Sequence, residues 1–197
     1  RRGDLPHLKE LTFNGPNEDL LFVFVKAVDT CAPSVRKLNL KCFGWEDPAV
    51  VRSLSIALKQ KMFPGMASFA VDDNLHTGII DSFGKTGFTT NLGDLVGSLS
   101  EHTQLRRVQM TQVMLGSEGV ECLVAHLHKF HCLEELDIGC NDIGVEGDIG
   151  DHGLCMLVDA FCDGAVPALK VLDIGGNCVT SVGLNALADA LESGALK

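Results

Sequence analysis

Residues 133–144 read LEELDIGCNDIG, and residues 169–180 read LKVLDIGGNCVT. Leu133, Leu136, Ile138, Asn141 and Ile143 of the first stretch stand where Leu169, Leu172, Ile174, Asn177 and Val179 stand in the second. One set of apolar letters around one asparagine, returning further along the chain, marks a structural unit and not a solitary motif. Leu136 and Ile138, like Leu172 and Ile174, alternate with polar residues, the period of a strand buried on one face. Both copies run on into apolar segments of helical spacing.

The shared pattern, L-x-x-L-x-[IL]-x-x-N-x-[ILV], is the strand half of a leucine-rich repeat. On these residues the chain resembles the ribonuclease-inhibitor type of leucine-rich repeat protein. That resemblance implies an α/β fold, a right-handed horseshoe solenoid with a parallel concave sheet of about six strands and helices on the convex side. One short strand and one helix cannot bury their own apolar faces, so stability comes from stacking repeat on repeat.

Six segments fit the template, starting at Leu8, Val35, Met66, Leu105, Leu133 and Leu169, with 27, 31, 39, 28 and 36 residues from one start to the next. A repeat of this kind takes roughly 20–29 residues, so the long intervals carry insertions, near 76–90 and 144–151. The whole of 1–197 reads as one repeat domain. In repeat one Leu8, Leu11 and Phe13 form the strand, and Pro16, Asn17 and Glu18 open a helix through Leu20, Leu21, Phe24, Val25 and Val28. Repeat two uses Val35, Leu38 and Leu40. Asp47 and Pro48 then start a helix burying Val51, Leu54 and Leu58, because a proline loses nothing in a first turn. Repeat three offers Met66, Phe69, Val71 and Asn74, then the irregular run HTGIIDSFGKTGFTTN and a helix over 92–99. Repeat four has Leu105, Val108, Met110 and Leu115, with a helix capped at Ser117 and carrying Val120, Leu123, Val124 and Leu127. Helices from Asp151 and Ser181 complete the last two.

Asn74, Asn141 and Asn177 are expected to satisfy backbone groups where each strand bends away, since an amide side chain both donates and accepts. Pro16, Phe43 and Val113 occupy that slot elsewhere, which predicts less regular turns. Residues 194–197, GALK, resemble the start of a seventh repeat, and no polar capping module precedes Leu8. Both ends are therefore expected to expose apolar surface, and the chain to be a fragment of a larger protein.

The 197 residues are 46% apolar, with a mean hydropathy of +0.19, ample for a buried core. The longest apolar run, residues 20–25, is far short of the roughly 18 residues a spanning helix needs. Against 26 Asp and Glu stand 16 Lys and Arg, a net charge of −10, which disfavours phosphate backbones and anionic lipid. Neither nucleic acid nor a membrane is expected as a partner. Eight cysteines show no CxxC pairing, and Cys122, Cys132, Cys155 and Cys162 lie in apolar periodic segments. Free, partly buried thiols in a reducing cytoplasm follow from that placement.

Several motifs suggest chemistry and do not hold up. Gly84, Lys85 and Thr86 match the tail of a phosphate-binding loop, but its first glycine would fall on Ile79. In AHLHKFHC, Cys122 and His126 are four apart, as are His128 and Cys132. Positions 126 and 128 stand about 200° apart around a helix, so these read as surface histidines beside buried cysteines. The acidic insertion gathers Asp142, Glu146, Asp148, Asp151 and His152, at spacings that depart from a calcium loop. Arg2, Gly3 and Asp4 match an integrin tripeptide at a chain end. No metal or other cofactor is expected, and no catalytic set can be assembled, so the chain reads as a non-enzyme.

Function is expected on the strand positions the template leaves free. They are Glu10, Thr12 and Asn14; Lys37, Asn39 and Lys41; Ser68, Ala70 and Asp72; Arg107, Gln109 and Thr111; Glu135, Asp137 and Gly139; Val171, Asp173 and Gly175. From these, Lys37, Asn39, Lys41, Arg107, Gln109, Glu135, Asp137 and Asp173 are the candidate partner-binding residues. The last two strands are acidic, suited to a protein partner with a basic patch. The resemblance implies an interaction scaffold. Ran GTPase-activating proteins share the repeat type, which leaves GTPase activation as the alternative, with Arg106, Arg107 and Asn141 as candidate contacts. Exposed solenoid ends offer a route to self-association.

Overall fold

Strand and helix alternate along the chain as the repeat requires. The computed structural model describes residues 7–14, 34–41, 48–60, 62–72, 87–113, 115–141 and 149–194. In order these hold β1 (Glu10–Asn14), β2 (Lys37–Lys41), α1 (Pro48–Lys59), β3 (Ser68–Asp72), α2 (Gly87–Leu99), β4 (Arg107–Thr111), α3 (Gly116–Leu127), β5 (Glu135–Asp137), α4 (Ile149–Cys162), β6 (Val171–Asp173) and α5 (Ser181–Glu192). The strands form one open sheet in sequence order, every neighbouring pair parallel. This is the expected α/β leucine-rich-repeat solenoid.

The register is the template's own. Leu11, Leu38, Phe69, Val108, Leu136 and Leu172 stand side by side across all six strands. One residue ahead of the strands, a backbone chain crosses the sheet: Arg36 N donates to Lys9 O, Ala67 N to Arg36 O, Arg106 N to Ala67 O, Glu134 N to Arg106 O and Lys170 N to Glu134 O, at 2.7–2.8 Å. Each repeat thus satisfies backbone polar groups of the one before it.

One apolar cluster runs through the stack. Leu38, Leu40, Phe69, Val71, Val108, Met110, Leu136 and Ile138 from the strands meet Val51, Leu54, Leu58, Leu95, Val120, Leu123, Leu127 and Leu157 from the helices. Each helix from α1 onward packs on its sequence neighbour. Burying one such side chain stabilises by roughly 1.5–3 kcal/mol, and no repeat achieves that alone. The two outer strands fare worse: Leu11, Phe13, Leu172 and Ile174 are only partly buried.

Three element starts depart from the sequence reading. Helix α2 begins at Gly87, inside the insertion expected near 76–90 and five residues before the expected start at Leu92. Once Leu92, Leu95, Val96 and Leu99 dock in the core, extending the helix backwards through Thr and Gly costs only their weak intrinsic preferences. Helix α4 starts at Ile149, two residues before Asp151. Helix α3 starts at Gly116, and no side chain caps it, so Ser117 is not its cap. Gly116 N donates instead to Asn141 O of the following repeat. The helix expected in repeat one lies outside the described residues, as do Pro16, Phe43, Asn74 and, of the insertions expected near 76–90 and 144–151, residues 76–86 and 144–148.

The asparagine slot behaves as expected and reaches further. Asn141, fully buried, donates through Nδ2 to Ile138 O in its own repeat and to Met110 O in the previous repeat. Its Oδ1 accepts from Val113 N at 2.9 Å and Leu115 N. Asn177 repeats the pattern one repeat on, with Nδ2 on Ile138 O and Ile174 O and Oδ1 accepting from Asn141 N. Val113 therefore needs no amide of its own, because the next repeat supplies one. Among the described slots the residue before takes a left-handed backbone, at Gln112 (φ 56°), Cys140 (54°) and Gly176 (71°).

Candidate partner-binding face

Strand residues between the core letters point away from the helices and line up in rungs. Glu10, Lys37, Ser68, Arg107, Glu135 and Val171 form the first, and Thr12, Asn39, Ala70, Gln109, Asp137 and Asp173 the second. Asn14, Lys41, Asp72 and Thr111 form the third. All eight residues expected to meet a partner lie on this one face.

Charges along it are paired in the first rung and like-signed in the second, where Asp137 meets Asp173. In the first rung Lys37 Nζ lies 3.7 Å from Glu10 Oε2, and the Arg107 guanidinium is ion-paired with Glu135. Asn39 Nδ2 donates to Glu10 Oε1 at 3.0 Å and to Thr12 Oγ1 at 3.1 Å, which holds that corner. Glu135 is thus not a free acid but Arg107's counter-ion. Further along, Asp137 and Asp173 stand side by side, each accepting the backbone N–H two residues on, from Gly139 and Gly175. Partial burial pushes the Asp137 carboxyl above its ordinary range, and repulsion from Asp173 and Asp72 adds to the rise against the Gly139 hydrogen bond. A carboxylate so placed is stabilised when a cation arrives.

Two features were not singled out in the sequence. Ser68 and Ala70 are the small residues of the face. With Lys37, Asn39, Lys41, Arg107 and Gln109 around them they leave a depression of ≈240 Å³. The signal was available in the template's free positions, where β3 alone offers two small side chains flanked by long ones. On the sheet's flank, Glu134 is held between Arg106 and Lys170. The Lys170 hydrogen bond foremost, with Arg106 assisting against slight desolvation, keeps its carboxyl below the usual range.

The remaining candidates disperse. Asn141 is buried and spends its amide on backbone, and Arg106 is occupied by Glu134. Of the three residues carried for GTPase activation, only Arg107 faces the open side. His126 Nδ1 lies 3.0 Å from the Cys122 carbonyl oxygen, bonding its own helix. Asp151 accepts from Thr180 N, Thr180 Oγ1 and Gly183 N, so it caps α5. Among the described residues no cluster of three or more His, Cys, Asp or Glu is arranged to hold a metal, and no helix is long and apolar enough to cross a membrane. Six described cysteines carry free thiols; Cys122, Cys132 and Cys155 are half-buried as expected, but Cys162 is exposed. The Gly84–Lys85–Thr86 and Arg2–Gly3–Asp4 motifs lie outside the described residues.

A leucine-rich repeat family model matches residues 131–147 and 167–188, the two segments that carry LEELDIGCNDIG and LKVLDIGGNCVT. With six parallel strands in register, the chain has the fold of a leucine-rich-repeat solenoid, and the family model matches its last two repeats. No curated protein matches it. Among solved structures, it is similar to the tropomodulin C-terminal domain of Caenorhabditis elegans, with a TM-score of 0.42 and 11% identity over 97% of this chain and 86% of that one.

Proposed function

We propose that this chain is a non-catalytic interaction module of the ribonuclease-inhibitor type, working in the cytoplasm, and that it binds a protein partner through the open face of its sheet. The observation that carries this reading is the Asp137–Asp173 pair, whose mutual repulsion a cation would relieve. Two of the five intervals, of 27 and 28 residues, support the type, and free thiols support the compartment. The partner brings a basic segment to β5 and β6, while Lys37, Asn39, Lys41, Arg107 and Gln109 meet its other side.

Binding of an amidated Lys-Gly-Lys-Gly-Lys peptide, followed by fluorescence anisotropy at low salt, tests this reading. Asp173→Lys should weaken it at least about fivefold, the equivalent of ~1 kcal/mol, and 0.5 M salt should do likewise. Absence of binding, or binding indifferent to Asp173→Lys, would refute the acidic sector as the contact.

A further inference from the structure

We propose that the same face carries a second subsite of opposite sign, a notch over β3 between Lys37 and Arg107 that receives an acidic side chain of the protein partner. This subsite depends on the partner-binding role of the face given above, and it specifies what the other half of that partner must present.

The notch is built by side-chain size. Ser68 and Ala70 form its floor, Lys37 and Asn39 one wall, Arg107 and Gln109 the other. A water's share of liquid volume is about 30 Å³, so ≈240 Å³ accommodates one carboxylate side chain with some of its waters. Strands β2 and β4 flank β3 at about 4.8 Å each, which sets the stems of Lys37 and Arg107 roughly 10 Å apart. That span fits a carboxylate reached from both sides by charge-assisted bonds of about 2.8 Å.

Donors are in place at this spot. Lys37 Nζ is 3.7 Å from Glu10, beyond hydrogen-bond range, and Glu10 Oε1 is taken by Asn39, so the ammonium keeps its donors. Arg107 meets Glu135 through Nη2, leaving further N–H groups of a five-donor guanidinium. Ser68 lies between the two in the same rung, and its hydroxyl has no hydrogen-bond partner among the described residues. Lys41 is exposed two rungs on. The depression is thus lined by three cations, Lys37, Lys41 and Arg107, against two acids, Glu10 and Asp72, whereas Asp137 and Asp173 beyond it are both acidic. From β3 to the β5–β6 pair is roughly 12 Å, three to four residues of extended chain. A partner segment carrying an acid and a base at that separation is fixed in direction as well as place, since the reversed orientation would set like charges together.

The test is a backbone-amide NMR titration at low salt with N-acetyl-Gly-Glu-Gly-amide and its Gln counterpart. The Glu peptide should shift Ser68, Ala70 and Gln109 saturably and the Gln peptide should not. Lys37→Gln and Arg107→Gln should each weaken the response about fivefold. Ser68→Leu, which fills the floor and leaves every charge in place, should abolish it. Equal shifts from both peptides, no shifts from either, or full binding by Ser68→Leu would overturn the notch. If the Lys-rich peptide binds while the Glu peptide does not, only the notch falls; if neither binds, the partner-binding face falls with it.

Discussion

Asn141 shows what one side chain does in a stacked fold. Its place in the template was legible, and so was the need for an amide that both donates and accepts. That the amide would bridge to Met110 and Val113, 28 and more residues earlier, was not, because the pattern records each repeat separately. Asn141→Ala leaves those buried backbone groups unpaired and should cost about 3 kcal/mol in urea unfolding. Asn177→Ala should cost clearly less, since water reaches the outer repeat. At Gly176 the left-handed backbone (φ 71°) combines with a would-be Cβ only 2.6 Å from Cys140 Sγ. Gly176→Ala should therefore destabilise by roughly 1–2 kcal/mol, and Cys140→Ala in the same chain should recover part of that loss. Asp137 works against the fold. Its carboxyl is raised by burial first, then by Asp173 and Asp72; ionising it therefore costs folded stability, a cost absent below the unfolded value, growing above it and complete above the folded one. Asp137→Asn, still able to accept from Gly139, should melt higher than the parent at neutral pH. The gain should vanish below about pH 4, and the same substitution should weaken the Lys-rich peptide.

Elements were legible where the apolar period is unbroken. Strands follow directly from Leu38 and Leu40, Val108 and Met110, Leu136 and Ile138, and α5 begins at the Ser181 expected for it. Boundaries failed where a neighbour and not the local sequence sets them. Ser117 looks like a cap, yet α3 takes its first-turn contact from Asn141 of the next repeat, and α5 combines its own Thr180 cap with the Asp151 carboxylate from α4. Asp151 is held below the ordinary carboxylate range, chiefly by the Thr180 side-chain hydrogen bond and then by backbone N–H groups. Its contribution is therefore present above the unfolded value and is lost as pH falls through the folded one. Asp151→Ala should lower the melting temperature at neutral pH and much less in acid. In hydrogen exchange it should speed the first-turn amides of α5 while leaving those of α3 unchanged.

On the scale of the whole molecule, burial falls from the middle of the stack outward. Leu136 and Ile138 are sealed, whereas their counterparts Leu172 and Ile174 are half-covered. Beyond them Val171, Val182, Leu184 and Leu191 are 51–64% exposed, and Leu169, Leu172, Leu187 and Leu191 border a hollow of ≈900 Å³ at that end. The sequence indicated this end effect, because stacking is the only way the template buries its letters. The small pair Ser68 and Ala70 was visible in the sequence, but not the notch they form, since that depends on side-chain size across three strands 30 to 40 residues apart. A stack held by nearest-neighbour interfaces opens from whichever end has the weaker one. Repeat six has a three-residue strand and a small second cluster of Leu154, Val158 and Ala190 joining α4 to α5, against the continuous core behind β2 to β5. Native-state hydrogen exchange should accordingly show the amides of β6 and α5 exchanging through a partial opening of lower free energy, with those of β3 and β4 protected up to the global value. Leu172→Ala should lower protection in β6 and α5 while moving β3 little, and Val108→Ala should lower all of them together. Equal protection of β6 and β4 would mean that the six repeats open as one cooperative unit, and the outward decline in burial would then have no counterpart in stability.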